Sequence, residues 1–317
     1  NVRRDMMKQF TDCDIEKDDD LPTCISKVYE QTGEQFVLIL DEYDVLVREK
    51  VNATIFNSYL AFLNAMFKNI NLVPAFALVY LTGILPIVRD KIQSKLNVFR
   101  EYTMVDAEQF TPFVGFTEDE VKDLCDKYDM SFEECKLWYD GYSFDGKMSV
   151  YNPNSVVEAI FSRQYGSYWT RTDTYEVLRD YISMNMDGLK DDITSMLVGN
   201  KVNIDPISFQ NDMVTFNCKD DVMTLLVHLG YLAYNSETGK VRIPNREIEG
   251  EFAAAVKNND YWGELAKAIR LSDDFLDAII AGKADFVAEQ LQRVHSDDAS
   301  VLQYNDENSL ACAIRIA

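Results

Sequence analysis

The densest group of side chains able to do chemistry is Asp41-Glu42-Tyr43-Asp44, set directly behind the uninterrupted apolar run Phe36-Val37-Leu38-Ile39-Leu40. One carboxylate in such a place can orient a hydrated divalent cation. Its neighbour can accept or orient the proton of a water attacking a phosphoryl group. Because successive strand residues point to opposite sides, Asp41 and Glu42 are expected to address different partners from one stretch of backbone. The plainer reading stays open: DEYD can be a polar cap whose acids simply meet water.

An apolar strand ending in Asp-Glu is the arrangement that P-loop ATPases use to handle magnesium and water. On that reading Asp41 holds Mg²⁺ through its water shell, beside the phosphates of ATP, and Glu42 is the general base. A second apolar run, AFALVYL from Ala75, ends in Thr82-Gly83, where these ATPases place a residue that senses the γ-phosphate. Thr82-Gly83 can equally be a turn.

The elements that must position these residues are legible around them. FVLIL reads as a central parallel strand buried on both faces. Phe56, Tyr59, Leu60, Leu63, Met66, Phe67 and Ile70 recur at three- and four-residue spacing, one face of a helix. Strand, helix, strand is a crossover unit, which is built right-handed into parallel sheets. A phosphate cradle needs Gly-x-x-x-x-Gly-Lys-Ser/Thr, and the Gly-Lys pairs at Gly146, Gly239 and Gly282 are followed by Met148, Val241 and Ala284. Residues 1–35 also lack the strand-loop-helix that would carry such a cradle.

From Phe113 the pattern becomes mainly helical. Thr117 with Glu120 predicts a capping box, WYDGYSFDGK holds two Asp-Gly turns, and a helix restarts at Pro153. Between Asp220 and Pro244, a helix stopped by Gly230 is followed by two short strands around NSETG, which predicts a winged helix. YWGELAKAIR and the apolar repeat from Phe275 to Val294 suggest a third unit. The acid run at Lys17 reads as a solvated loop.

Composition limits the partners. With 31 Lys+Arg against 53 Asp+Glu, the net charge is −22, a field that repels phosphate backbones and anionic lipid. The predicted winged helix has no basic stripe either: Lys219, Lys240, Arg242 and Arg246 face Asp220, Asp221, Glu237, Glu247 and Glu249. Nucleic acid is therefore not an expected partner, and a lid extension or docking surface is the better reading of that segment. Six scattered cysteines and two histidines, His228 and His295, make no zinc pattern. No run reaches the roughly 20 apolar residues of a membrane span, and no signal peptide is visible, so a cytoplasmic protein is expected. Asn1 at the start and NSLACAIRIA at the end read as the cut ends of a longer chain.

Taken in order, FVLILDEYDVLV, LTGILPI with KLNVFREYTM, LWYDGYSF, VYNPNSV and YNDENSL resemble a family of bacterial AAA-ATPase-like proteins with a C-terminal restriction-endonuclease-like domain of the PD-(D/E)XK type. The resemblance implies an α/β fold: a partial P-loop NTPase parallel sheet over 1–112, a mainly helical lid and winged-helix-like region over 113–255, and the start of a nuclease-like domain over 256–317. It implies ATP and Mg²⁺ as cofactors, Asp41 and Glu42 as the Walker B acids, and Thr82 as the sensor. It also matches Glu307 to an early helical glutamate of the nuclease fold, and leaves Arg89 and Arg100 as candidate arginine fingers. Phosphodiester hydrolysis needs several carboxylates around its metal, so Glu307 alone makes the nuclease reading architectural. The expected function is ATP hydrolysis in the parent protein, coupled to its lid and tail, with a protein partner or homo-oligomer to complete it. The alternatives are a non-catalytic interaction module that kept the sheet, and a nuclease whose ATPase portion is regulatory.

Overall fold

The structure, a computed structural model, describes residues 1–48, 52–84, 98–143, 148–169, 174–209, 216–257 and 259–289. Helices and small sheets are mixed along the chain, whose described residues divide into two compact units, one within 1–101 and the other from 102 onward.

The first unit runs α1 (Val2–Gln9), α2 (Leu21–Thr32), β1 (Phe36–Leu40), α3 (Val45–Arg48), α4 (Ala53–Phe67) and β2 (Phe76–Leu81). Sequence chemistry sets the helix ends. Asp20 accepts the Thr23 N–H at 2.9 Å to cap α2, and Gly33 closes it in the left-handed region at φ 71°. The acid run before α2 is therefore more than a solvated loop, since Asp19 also binds Lys27 at 2.7 Å and the Glu16 N–H at 2.7 Å. These bonds, Lys27 first, pull the Asp19 carboxyl below its ordinary pKa. Asn52 caps α4 through the Ile55 N–H at 3.0 Å. The helix ends at Phe67, short of Ile70, because the Asn69 carbonyl accepts the N–H groups of Leu72 and Val73 and turns the chain. Ile70 is left exposed.

β1 and β2 pair in parallel, with Leu38 opposite Val79 and Leu40 opposite Leu81. Phe36, Leu38, Leu40, Phe76, Val79 and Leu81 pack onto Cys24, Ile25 and Val28 of α2 and Leu60, Leu63 and Met66 of α4. The expectation of a strand buried on both faces is not met. Val37 and Ile39 on the other face are 60% and 68% exposed, because the two helices cover a single side.

The second unit contains β3 (Phe116–Thr117), α5 (Glu118–Tyr128), α6 (Phe132–Tyr139), β4 (Val150–Tyr151), α7 (Pro153–Ser162), α8 (Thr174–Ile182) and α9 (Leu189–Leu197). It continues through β5 (Val202–Asn203), α10 (Lys219–His228), β6 (Ala233–Asn235), β7 (Lys240–Arg242), α11 (Arg246–Lys257) and α12 (Glu264–Ile280). The Thr117–Glu120 capping box forms with both bonds present, a device that contributes about 1 kcal/mol. Pro153 opens α7, and Asn152 caps it. After α10, Gly230 takes φ 82° and the chain enters the β6–β7 hairpin, to which β5 adds a third strand in the order β5-β7-β6.

Two motifs of this unit are joined by short bonds. Gly141 has φ 123°, and a Cβ there would lie 2.1 Å from the Pro244 carbonyl oxygen, so no other residue fits. Its own carbonyl accepts Arg242 Nη2 at 2.7 Å, and the buried Tyr142 hydroxyl donates to the Gly230 carbonyl at 2.7 Å. Tyr139 and Tyr151 are buried in the same unit.

An acid of α11 with no forewarning in the sequence pattern is bonded to α7. Glu247, 1% exposed, accepts Ser155 Oγ at 3.0 and 2.8 Å, the Tyr168 N–H at 2.7 Å and the Trp169 N–H at 3.0 Å. One turn later Glu251 accepts Ser167 Oγ at 2.9 Å. Burial raises the pKa of both acids above the ordinary carboxylate range.

Among the described residues no helix is long and apolar enough to cross a membrane.

Candidate functional site

The parallel register fixes the site. With Leu40 opposite Leu81, the next residue of each strand, Asp41 and Thr82, leaves the sheet at the same carboxyl edge. That edge is where ligands collect in open α/β folds. The backbone continues the pairing one step: the Thr82 N–H reaches the Leu40 carbonyl at 3.0 Å, and the Tyr43 N–H reaches the Thr82 carbonyl at 2.9 Å. The Thr82 hydroxyl donates directly to Asp41 Oδ1. The Glu42 N–H donates to the same oxygen at 3.1 Å. Both bonds fall on Oδ1, and Oδ2 takes none among the described residues.

Asp41 and Glu42 do not lie on a strand, where the sequence would send them to opposite sides. β1 stops at Leu40, and residues 41–44 form a turn in which Glu42 occupies the left-handed region at φ 52°. A residue with a Cβ in that region carries strain of about 1 kcal/mol. Asp41 and Glu42 are both exposed, while Tyr43 and Asp44 turn inward and are 8% and 2% exposed. The four-residue motif is thus split by its turn into an outward and an inward pair.

The inward pair is anchored on three sides. Tyr59 of α4 donates its hydroxyl to the Tyr43 carbonyl at 2.8 Å, and Asp44 Oδ2 accepts the Ile84 N–H at 3.1 Å. Gly83 lies against both residues: a Cβ there would stand 2.7 Å from Tyr43 Cε1 and 2.8 Å from Asp44 Oδ1. Burial, and after it the Asp44 charge, pushes the Tyr43 hydroxyl well above the ordinary tyrosine pKa and raises that of Tyr59. Asp44 stood in the sequence as one acid of a cluster. Its distinct place could not be separated from its neighbours without the turn geometry.

Of the other candidates, Arg100 is exposed in the first unit. Arg89 and Glu307 lie outside the described residues. Among those that are described, no three His, Cys, Asp or Glu side chains converge to hold a metal ion by themselves. One exposed carboxylate, steadied on one oxygen and backed by a hydroxyl, suits a cation that keeps its waters and takes its remaining ligands from phosphate, as Mg²⁺ does. The donor set fits a magnesium–nucleotide pair better than a dedicated protein cage.

Fold and site together define a small parallel α/β unit with an acid and a hydroxyl joined at its carboxyl edge. Residues 2–93, less than a third of the chain, match a family model described as a predicted AAA-ATPase, AAA-ATPase-like. Comparison with curated proteins gives no match. Comparison with solved structures gives none either.

Proposed function

We propose that this chain carries the metal- and water-handling part of an ATP-hydrolysing site, built on Asp41, Glu42 and Thr82. The observation that carries the reading is the direct Thr82–Asp41 hydrogen bond at the carboxyl edge of two parallel strands, within the segment that matches the AAA-ATPase-like family. Asp41 is the Walker B acid that would hold Mg²⁺ through water, with Thr82 and the Glu42 N–H fixing its carboxylate. Bound with ATP, the ion would neutralise charge on the phosphates. Glu42, exposed beside Asp41 in the same turn, is placed to accept a proton from water. Thr82, one bond from Asp41, is the hydroxyl that reports the terminal phosphate.

No Gly-x-x-x-x-Gly-Lys-Ser/Thr occurs in the 317 residues, so this reading requires a phosphate cradle from elsewhere. The helical part of the second unit is then the lid. Its helix-and-hairpin segment is a winged-helix-like extension, and residues 256–317 are the start of a nuclease-like domain. Such a protein works in the cytoplasm, with a protein partner or further copies of itself.

The test is magnesium-dependent ATP turnover by the full-length protein. Glu42→Gln is expected to lower the rate about 10²-fold or more, the usual contribution of a positioned general base. An unchanged rate removes Glu42 from that role.

A second reading, a non-catalytic module that retained the sheet for interaction, is favoured by the exposed apolar face at Val37, Ile39, Leu78 and Tyr80. It predicts a full-length protein with no usable Gly-Lys-Ser/Thr loop and no turnover.

A further inference from the structure

We infer that Asp44 is a positioning residue for the Asp41–Thr82 pair, acting through the backbone of the loop that follows β2. The inference rests on the ATPase reading of that pair for its consequence, though not for its geometry.

The direction of the Thr82 hydroxyl is set by one side-chain torsion and by the path of the backbone through Thr82, Gly83 and Ile84. Besides the Thr82–Asp41 side-chain bond, three bonds among the described residues tie that path to the turn after β1. Two of them, Thr82 N–H to Leu40 carbonyl and Tyr43 N–H to Thr82 carbonyl, are main-chain bonds that extend the sheet pairing and depend on no particular side chain. The third is different in kind. Asp44 Oδ2 accepts the Ile84 N–H at 3.1 Å, so this bond makes the loop geometry depend on a side chain other than the Asp41–Thr82 pair itself. At 2% exposure, Asp44 makes this bond with little competition from water.

Gly83 strengthens the case. Its φ is not positive, so it is not there for backbone freedom. It is there for space: a Cβ would collide with the Tyr43 ring and with Asp44 itself, at 2.7 and 2.8 Å. The loop can close onto Asp44 only because position 83 has no side chain. Asp44 and Gly83 are thus two halves of one bracket, and the bracket holds the residue that bonds Asp41. The carboxylates of DEYD accordingly have separate places: Asp41 beside Thr82 at the surface, Glu42 outward, and Asp44 inward against the Ile84 amide.

The experiment uses full-length protein with steady-state kinetics on MgATP, amide hydrogen exchange over residues 82–84, and thermal unfolding. Asp44→Ala is expected to lower kcat by roughly 10- to 100-fold, the scale of a small misplacement of a reacting group, with KM changed less than about 3-fold. Asp44→Asn keeps an oxygen that can accept the same N–H, and is expected to recover most of the rate. Thr82→Val should show a similar kcat loss, and Asp44→Ala combined with Thr82→Val should fall little further, because one acts through the other. Exchange of the Ile84 amide should quicken in Asp44→Ala and not in Asp44→Asn. Gly83→Ala, which opens the bracket from the other side, should quicken it too, and keeps the test informative if Asp44→Ala fails to fold. Multiplying losses in the double variant, or an Ile84 amide indifferent to Asp44→Ala and Gly83→Ala, overturns the inference. If wild-type protein turns over no ATP, the functional reading fails, while the exchange measurements still decide whether the bracket exists.

Discussion

Glu247 of the second unit and Asp41 of the first are treated in opposite ways. In the second unit Glu247 is buried, and both of its oxygens accept hydrogen bonds, from Ser155, Tyr168 and Trp169. In the first unit Asp41 is exposed, and the bonds from Thr82 and Glu42 both fall on one oxygen. A carboxylate whose acceptor sites are filled by the protein holds the fold together and offers nothing to a ligand. One that is steadied on a single oxygen keeps its direction while its other oxygen stays open. By this contrast, the exposed acids of DEYD, Asp41 and Glu42, rather than the buried ones are the place to look for chemistry.

Substitutions can break or sharpen the contrast. Glu247→Ala should produce the largest loss of stability, about 4 kcal/mol, since it strands the Tyr168 and Trp169 amides and the Ser155 hydroxyl in a buried site. Urea unfolding reads that loss directly; a change below about 1 kcal/mol would show that water can replace the carboxylate.

Next in size is a pH effect in the same unit. His228, buried and stacked on Phe209, has its pKa lowered to about 4 by burial. Its folded pKa lies below the unfolded one, so its contribution is complete above about pH 6.5 and is lost as the pH falls toward 4, on the order of 3 kcal/mol in all. Glu247 and Glu251 act in the other direction, because their raised pKa values make their contribution greatest at low pH and smaller as the pH rises through them. The difference in unfolding free energy between wild type and His228→Leu, followed from pH 7.5 to pH 4, isolates the histidine. A flat difference would mean that the imidazole charges inside the fold at little penalty.

The smallest effect belongs to the first unit. Asp41→Asn should change unfolding stability by no more than about 0.5 kcal/mol, as befits an exposed side chain whose replacement retains an acceptor oxygen. A loss of several kcal/mol would place Asp41 with Glu247 and dissolve the distinction.

Where periodicity governs, the sequence was sufficient. FVLIL is β1 as read, AFALVYL contains β2, and Thr82 arrives beside Asp41 because the two parallel apolar runs end in register, Leu40 opposite Leu81. Local chemistry was equally legible in the Thr117–Glu120 capping box, in Gly141 and in the helix and hairpin around Gly230. Features set by long-range contact were not. Nothing in FVLIL distinguishes a strand covered on two faces from one covered by α2 and α4 on one side. Nor does DEYD reveal that Glu42 adopts a left-handed backbone, which splits the motif into outward and inward pairs. Glu247 looked like one acid among several on a mixed segment, and only the fold brings Ser155 to it across 92 residues of sequence. Burial and pairing of acids are tertiary facts that a local pattern does not carry.

The most direct trial of the whole account is MgATP turnover by full-length Asp41→Asn, set beside its unfolding curve. A fall of about 100-fold or more in turnover with an unshifted unfolding transition is the predicted result, as for removal of a group that stabilises developing charge. Turnover equal to wild type would contradict it.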